Sequence, residues 1–137
     1  MEKMRDDEGI MLIGHGSRSN ESERVFSLQA ERLRNFGFRN VRVAFNEMSD
    51  ETIEKVLWEM ADRGIRRIYA LPLFIIAGIH ITQDISGKLG LKEDCDRGNI
   101  QVNGREIEIR YASAIGDDPL VSAILIERAL GLMSWAE

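Results

Sequence analysis

Two histidines and one glutamate hold most of the chemical capacity legible in this chain. His15 lies in Gly14-His15-Gly16-Ser17-Arg18, directly after the apolar run Ile10-Met11-Leu12-Ile13, and His80 lies in Ala77-Gly78-Ile79-His80, after Tyr69 to Ile76. Glu47 follows Asn40-Val41-Arg42-Val43-Ala44-Phe45-Asn46, and the chain has no third histidine. An imidazole ligates a borderline divalent ion when neutral and takes up a proton near neutral pH, and a carboxylate assists either task. Residue type alone does not separate these two jobs. Taken singly, each has a plainer explanation: a strand-end histidine bonded to a backbone carbonyl, or a glutamate supporting a helix start. Taken together, they matter if the fold brings them to one edge.

The surrounding pattern predicts that it does. Residues 9 to 13 form an apolar run bounded by Gly14, which suits a strand buried on both faces. Ser19 or Asn20 caps a following helix along which Val25, Leu28, Leu33 and Phe36 recur, and Gly37 stops it. After the second strand, Asp50 or Ser49 caps a helix whose inward stripe reads Ile53, Val56, Leu57, Met60 and Ala61. A third strand runs from Arg67 to Ile75, and Pro72 in it marks an edge position or a strand end. A short helix is expected from Thr82 to Leu89, then a polar stretch from Lys92 to Gly104 that reads as a flexible connection or surface hairpin. Glu106 to Ala112 alternates as a fourth strand. Asp117 or Asp118 with Pro119 opens a last helix carrying Val121, Ile124, Leu125 and Ala129 inward. The order β-α-β-α-β-α-β-α predicts a parallel sheet with helices on both faces and right-handed crossovers. In such a sheet the loops after strands one, two and three share an edge, and they carry His15, Glu47 and His80.

Composition narrows the function. At 137 residues, 44% hydrophobic and 30% charged, the chain fits one domain spanning 1–137, with residues 1–8 as a flexible amino-terminal tail. No apolar run reaches membrane-spanning length and the charged amino end lacks a secretory core, so a cytoplasmic protein with no membrane partner is expected. The net charge of −5 argues against nucleic acid as a partner. The single Cys95 forms neither an internal disulfide nor a cysteine-only metal cage. Gly14-x-Gly16-Ser17 lacks the third glycine of a dinucleotide fingerprint and the Gly-Lys-Ser/Thr of a P-loop, which removes the usual warrant for NAD or ATP. No Gly-x-Ser-x-Gly elbow supports Ser17 as a nucleophile.

Three segments in order carry a resemblance: Ile13-Gly14-His15-Gly16-Ser17-Arg18, then Val43-Ala44-Phe45-Asn46-Glu47, then Leu71 to His80 with Asp84-Ile85. Together they resemble the small, single-domain sirohydrochlorin chelatases, class II enzymes that insert Co²⁺ or Ni²⁺ into sirohydrochlorin. The resemblance is specific from about Gly9 to Ile85 and continues weakly through Ile115-Gly116-Asp117-Asp118-Pro119. It implies a flavodoxin-like, three-layer α/β/α fold with a four-stranded parallel sheet, and a homodimer whose two copies imitate the lobes of longer chelatases. It implies that His15 and His80 bind the metal and receive pyrrole protons, with Glu47 as an acidic partner. Ser17 and Arg18 follow the motif, and we read them as contacts for the carboxylate-rich substrate. Two departures stand out: Ser86 where many relatives have proline after Asp-Ile, and no histidine-rich tract between Lys92 and Gly104.

Chelation exchanges two pyrrole N–H protons for a divalent ion, so the enzyme holds the ion beside the ring and supplies a base. No cofactor beyond the substrate metal ion is expected. Two other classes compete: a non-catalytic carrier of metal or tetrapyrrole, and a flavin or phosphate binder of the same fold class. Turnover with excess metal separates the first from an enzyme, and bound flavin would mark the second.

Overall fold

A computed structural model describes residues 4–16 and 20–135. Among these residues, five strands and four helices follow one another as β1 (Glu8–Gly14), α1 (Asn20–Phe36), β2 (Val41–Phe45), α2 (Ile53–Asp62), β3 (Arg67–Pro72), α3 (Ile79–Lys88), β4 (Arg97–Val102), β5 (Arg105–Tyr111) and α4 (Pro119–Met133). They build one sheet in the order β2-β1-β3-β5-β4. The first four strands in that order run parallel, and β4 pairs antiparallel with β5 at the edge.

β1 is buried along its whole length, as its unbroken apolar run requires at the centre of a sheet covered on both sides. Its alternate residues divide the interior. Met11 and Ile13 join the main core with Ile53, Val56, Leu57 and Met60 of α2, Ile85 of α3, Ile68 and Ala70 of β3, and Ile107 and Ile109 of β5. Ile10 and Leu12 face the other way, toward Ala30 and Phe26 of α1. The three layers expected from the sequence are therefore present, with α1 on one face and α2 and α3 on the other.

The sheet itself departs from the expected four parallel strands. Half of the polar stretch Lys92 to Gly104 is the fifth strand, β4, and the hairpin reading of that stretch is the one the chain adopts. The turn is Asn103-Gly104, both residues at positive φ (52° and 72°), which matches the twist of a two-residue hairpin. Gly98, Asn99 and Gln101 disguise the strand, yet Ile100 and Val102 pack on the main core. β3 ends at Pro72, so of the two readings of that proline the strand end is correct. It lies between β1 and β5, not at an edge. α3 begins three residues before the expected Thr82, at Ile79, after Gly78. Thr52, not Asp50 or Ser49, caps α2 by accepting from the Lys55 amide. At the amino end Glu8 opens β1 and Met4 packs against the α1-side cluster.

α4 is the largest departure. Asp118 caps it as expected, accepting from the Leu120 amide with Pro119 in the first turn. Its expected inward residues are not inward: Ile124, Leu125 and Ala129 are exposed, Val121 is only half-buried, and no residue of the helix is buried. The reason lies in the sheet face available to it. On the α1 side, β5 and β4 present Glu106, Glu108, Arg110, Arg97, Asn99 and Gln101, paired across the strands in register. Arg67 bridges Glu8 and Glu108 on that face, and Arg110 also pairs with Glu108. An ionic surface of this kind gives an apolar helix nothing to pack against. The α1 stripe differs as well: Phe26 and Ala30 are buried, whereas Val25, Leu28 and Phe36 are exposed.

Candidate functional site

The carboxyl ends of β1, β2 and β3 open onto one edge, and the loops there carry the candidate residues. His15 immediately follows β1 and Glu47 follows β2 by two residues. Their backbones are stitched together: the Asn46 amide donates to the Gly14 carbonyl (2.9 Å) and the Glu47 amide to the His15 carbonyl (3.1 Å). Gly16 makes this closeness possible. It sits at φ 106°, and a β-carbon there would fall 1.8 Å from the Glu47 carbonyl oxygen, so no other residue fits. Above this seam His15 Nε2 lies 3.3 Å from Glu47 Oε1, with the side chains 51% and 49% exposed. An imidazole and a carboxylate so placed can share a proton and remain open to an incoming ligand.

His80 arrives differently. It is the second residue of α3, an exposed position in the first turn, and not a loop residue as its sequence context predicts. Among the described residues, no three of the His, Cys, Asp and Glu side chains gather into a set that could hold a metal ion. The structure thus brings His15 and Glu47 together and sets His80 at the same edge without closing a three-ligand cage. Ser17 and Arg18 lie outside the described residues.

Three residues assigned no task from sequence complete the neighbourhood. Asn46, 7% exposed, donates from Nδ2 to Asp84 Oδ2 (3.0 Å) and accepts from Lys88 Nζ at Oδ1 (2.9 Å). Lys88 also donates to the Asn46 carbonyl (2.6 Å) and pairs with Asp84 at 3.2 Å. The Asn46 hydrogen bond, and then Lys88, hold the Asp84 carboxyl below its ordinary range. The signal was available in the sequence: His80, Asp84 and Lys88 recur every fourth residue, which is one face of a helix.

The opposite flank of α3 borders an open cleft of about 1250 Å³, whose walls include Phe74, Ile75 and Ile76 before the helix, Gln83 and Ser86 on it, and Tyr111 at the end of β5. Burial pushes the Tyr111 hydroxyl pKa up. His15, Glu47 and His80 do not line this cleft. The loops around it are tied across the sheet end, Ile115 and Gly116 amides donating to the Phe74 and Ile75 carbonyls.

Residues 9–131 match the CbiX family. The chain belongs to the CbiX family. Among its relatives, a sirohydrochlorin cobaltochelatase of Methanosarcina acetivorans is 34% identical over 127 residues, covering 91% of this chain and 96% of the relative. One from Methanococcoides burtonii is 31% identical over 95% of this chain and 100% of the relative. Among solved structures, a CbiX protein from Marinobacter aquaeolei VT8 superposes with a TM-score of 0.65 at 20% identity, covering 92% of this chain and 97% of that one. The sirohydrochlorin chelatase SirB of Bacillus subtilis subspecies spizizenii, solved with cobalt, gives a TM-score of 0.71 at 21% identity, covering 90% of this chain but 50% of its own. This CbiX chain therefore has the fold of SirB over about half of SirB's length.

Proposed function

We propose that this CbiX protein is a sirohydrochlorin chelatase that inserts Co²⁺, or Ni²⁺, into the macrocycle without ATP and releases two protons. The observation that carries the site assignment is the His15–Glu47 pair, 3.3 Å apart and half exposed at the sheet edge. The relatives named sirohydrochlorin cobaltochelatase support the reaction, since they match this chain over nearly its whole length.

Glu47 accepts the Nε2 proton of His15, which leaves Nδ1 with its lone pair free toward the open edge. That nitrogen holds the incoming ion or takes a pyrrole proton, and Glu47 then balances the charge of the imidazolium. His80, on the first turn of α3, supplies the second imidazole. An incomplete protein ligand set suits an ion that must be handed to four ring nitrogens, because every protein bond has to be given up on transfer. Arg18 and Ser17, in the segment before α1, are assigned to the substrate carboxylates.

The working unit is a homodimer. α4 exposes Leu120, Ile124, Leu125, Ile126, Leu130 and Met133 around its circumference, and its own sheet face is ionic. A helix apolar all round belongs in an interior. A second copy supplies that interior, and one copy of this chain matches half of one SirB chain.

The test is multiple-turnover insertion of Co²⁺ into sirohydrochlorin, followed by the absorption change. His15→Ala or His80→Ala is expected to remove insertion while the fold survives. Wild-type activity in both variants would sink the site assignment, and one equivalent bound without turnover would make the protein a carrier.

A further inference from the structure

The apolar hold on α3 lies along one side of the helix, where Ile85 and the half-buried Ile81 pack on the main core. Within its bounds only Ile85 is buried, with Leu89 just beyond, and Gly78 gives its start no side-chain cap. Yet this helix carries His80, and imidazoles that work together must keep a fixed spacing. What ties α3 to the rest of the edge is polar. Asn46 is buried beside Glu47, and its amide is used at both ends: Nδ2 on Asp84 and Oδ1 on Lys88. Lys88 takes the Asn46 main-chain carbonyl as well, so side chain and backbone of the β2–α2 loop are gripped together. An Asp–Lys pair four residues apart on a helix contributes only about 0.2–0.5 kcal/mol by itself. Here its third member comes from another element, which converts a local pair into a link between elements.

That link has a direction. Asn46 and Glu47 bond backward to Gly14 and His15, and Asn46 bonds forward to Asp84 and Lys88. His80, Asp84 and Lys88 share one face of α3, so the turn that meets Asn46 lies directly below the one that presents His80.

We propose that Asn46, Asp84 and Lys88 form a positioning clamp that fixes the helix bearing His80 relative to the His15–Glu47 pair. None of the three touches substrate; they act through the histidines. The inference rests on the chelatase reading for its kinetic consequence but not for its geometry.

Lys88→Met tests it, because it keeps the apolar stem and removes the ammonium. In the folded full-length protein, amide hydrogen exchange over residues 79–84 is expected to rise about tenfold while residues 53–62 in α2 stay unchanged. In the insertion assay, kcat/KM for Co²⁺ is expected to fall roughly 10-fold to 100-fold, with KM for sirohydrochlorin unchanged. Lys88→Arg, which keeps a charged donor, is expected to restore most of both. Unchanged exchange in α3 overturns the clamp whether or not the wild type turns over. Wild-type metal kinetics in Lys88→Met overturns it too, even with a lowered melting temperature. If the wild-type protein fails to insert cobalt, the chelatase reading falls and the exchange measurement still decides the clamp.

Discussion

α2 and α4 are both apolar helices begun by a side-chain cap, and the chain treats them oppositely. Every residue of the expected α2 stripe is buried: Ile53, Val56, Leu57, Met60 and Ala61. In α4 none is, although its sequence is the more apolar of the two. The difference lies in the partner, not the helix. α2 covers a sheet face of Met11, Ile13, Ile68, Ala70, Ile107 and Ile109. The face left for α4 carries Glu106, Glu108 and Arg110 from β5 and Arg97, Asn99 and Gln101 from β4. An amphipathic helix has one side to bury and finds it within the chain. A helix apolar all round, opposite a charged surface, calls for a surface from outside the chain.

The largest expected effect is on the packed side of this contrast. Val56→Asp places an unpaired carboxylate in a fully buried position, costing more than about 4 kcal/mol, and circular dichroism should show an unfolded chain. A comparable charge in α4 should act on assembly and not on folding. Leu125→Glu with Leu130→Glu is expected to leave the dichroism intact and reduce the light-scattering mass to that of one 15.6 kDa chain. An unfolded double variant, or one that keeps a dimer's mass, would break the contrast.

The caps sharpen it. Thr52→Ala should cost about 1 kcal/mol and lower the melting temperature by roughly 4 °C at any protein concentration. Asp118→Ala removes an equivalent cap from α4, and its effect should depend on protein concentration, as the proposed dimer requires of a helix that buries nothing within its own chain. The smallest effect concerns α3, which stands between the two helices in how much it buries. Its Asp84 carboxyl is held below its ordinary range by Asn46 and then Lys88. The folded pKa is depressed, so the stabilisation is present above the unfolded value near pH 4 and is lost as the pH falls through the folded one. Asp84→Asn should therefore lower the melting temperature slightly at neutral pH and flatten its decline in acid.

What was legible in the sequence follows the same division. Period and punctuation placed β1, β2, α2 and β5 to within a residue or two, because each buries its pattern against neighbours inside the chain. β4 was obscured because its exposed face, Arg97, Asn99 and Gln101, needs no apolar residues, and because Gly98 brings no side chain to the face that Ile100 and Val102 pack inward. At the candidate site, residue type and strand-end position singled out His15, Glu47 and His80 as candidates. The clamp of Asn46, Asp84 and Lys88 was not, since Asn46 lies 38 residues from Asp84 and 42 from Lys88.

By itself, then, the sequence determined the alternating order of elements, the edge at which the candidate residues gather, and the family motif that names them. These rest on local propensity, on side-chain periodicity and on the rule that parallel strands share a carboxyl edge. Only the tertiary structure decided that His15 and Glu47 meet, that His80 stands on a helix held by a polar clamp, and that α4 lies unburied. Contacts between distant segments depend on which faces meet in space, and periodicity says only that a face is apolar, not what will cover it.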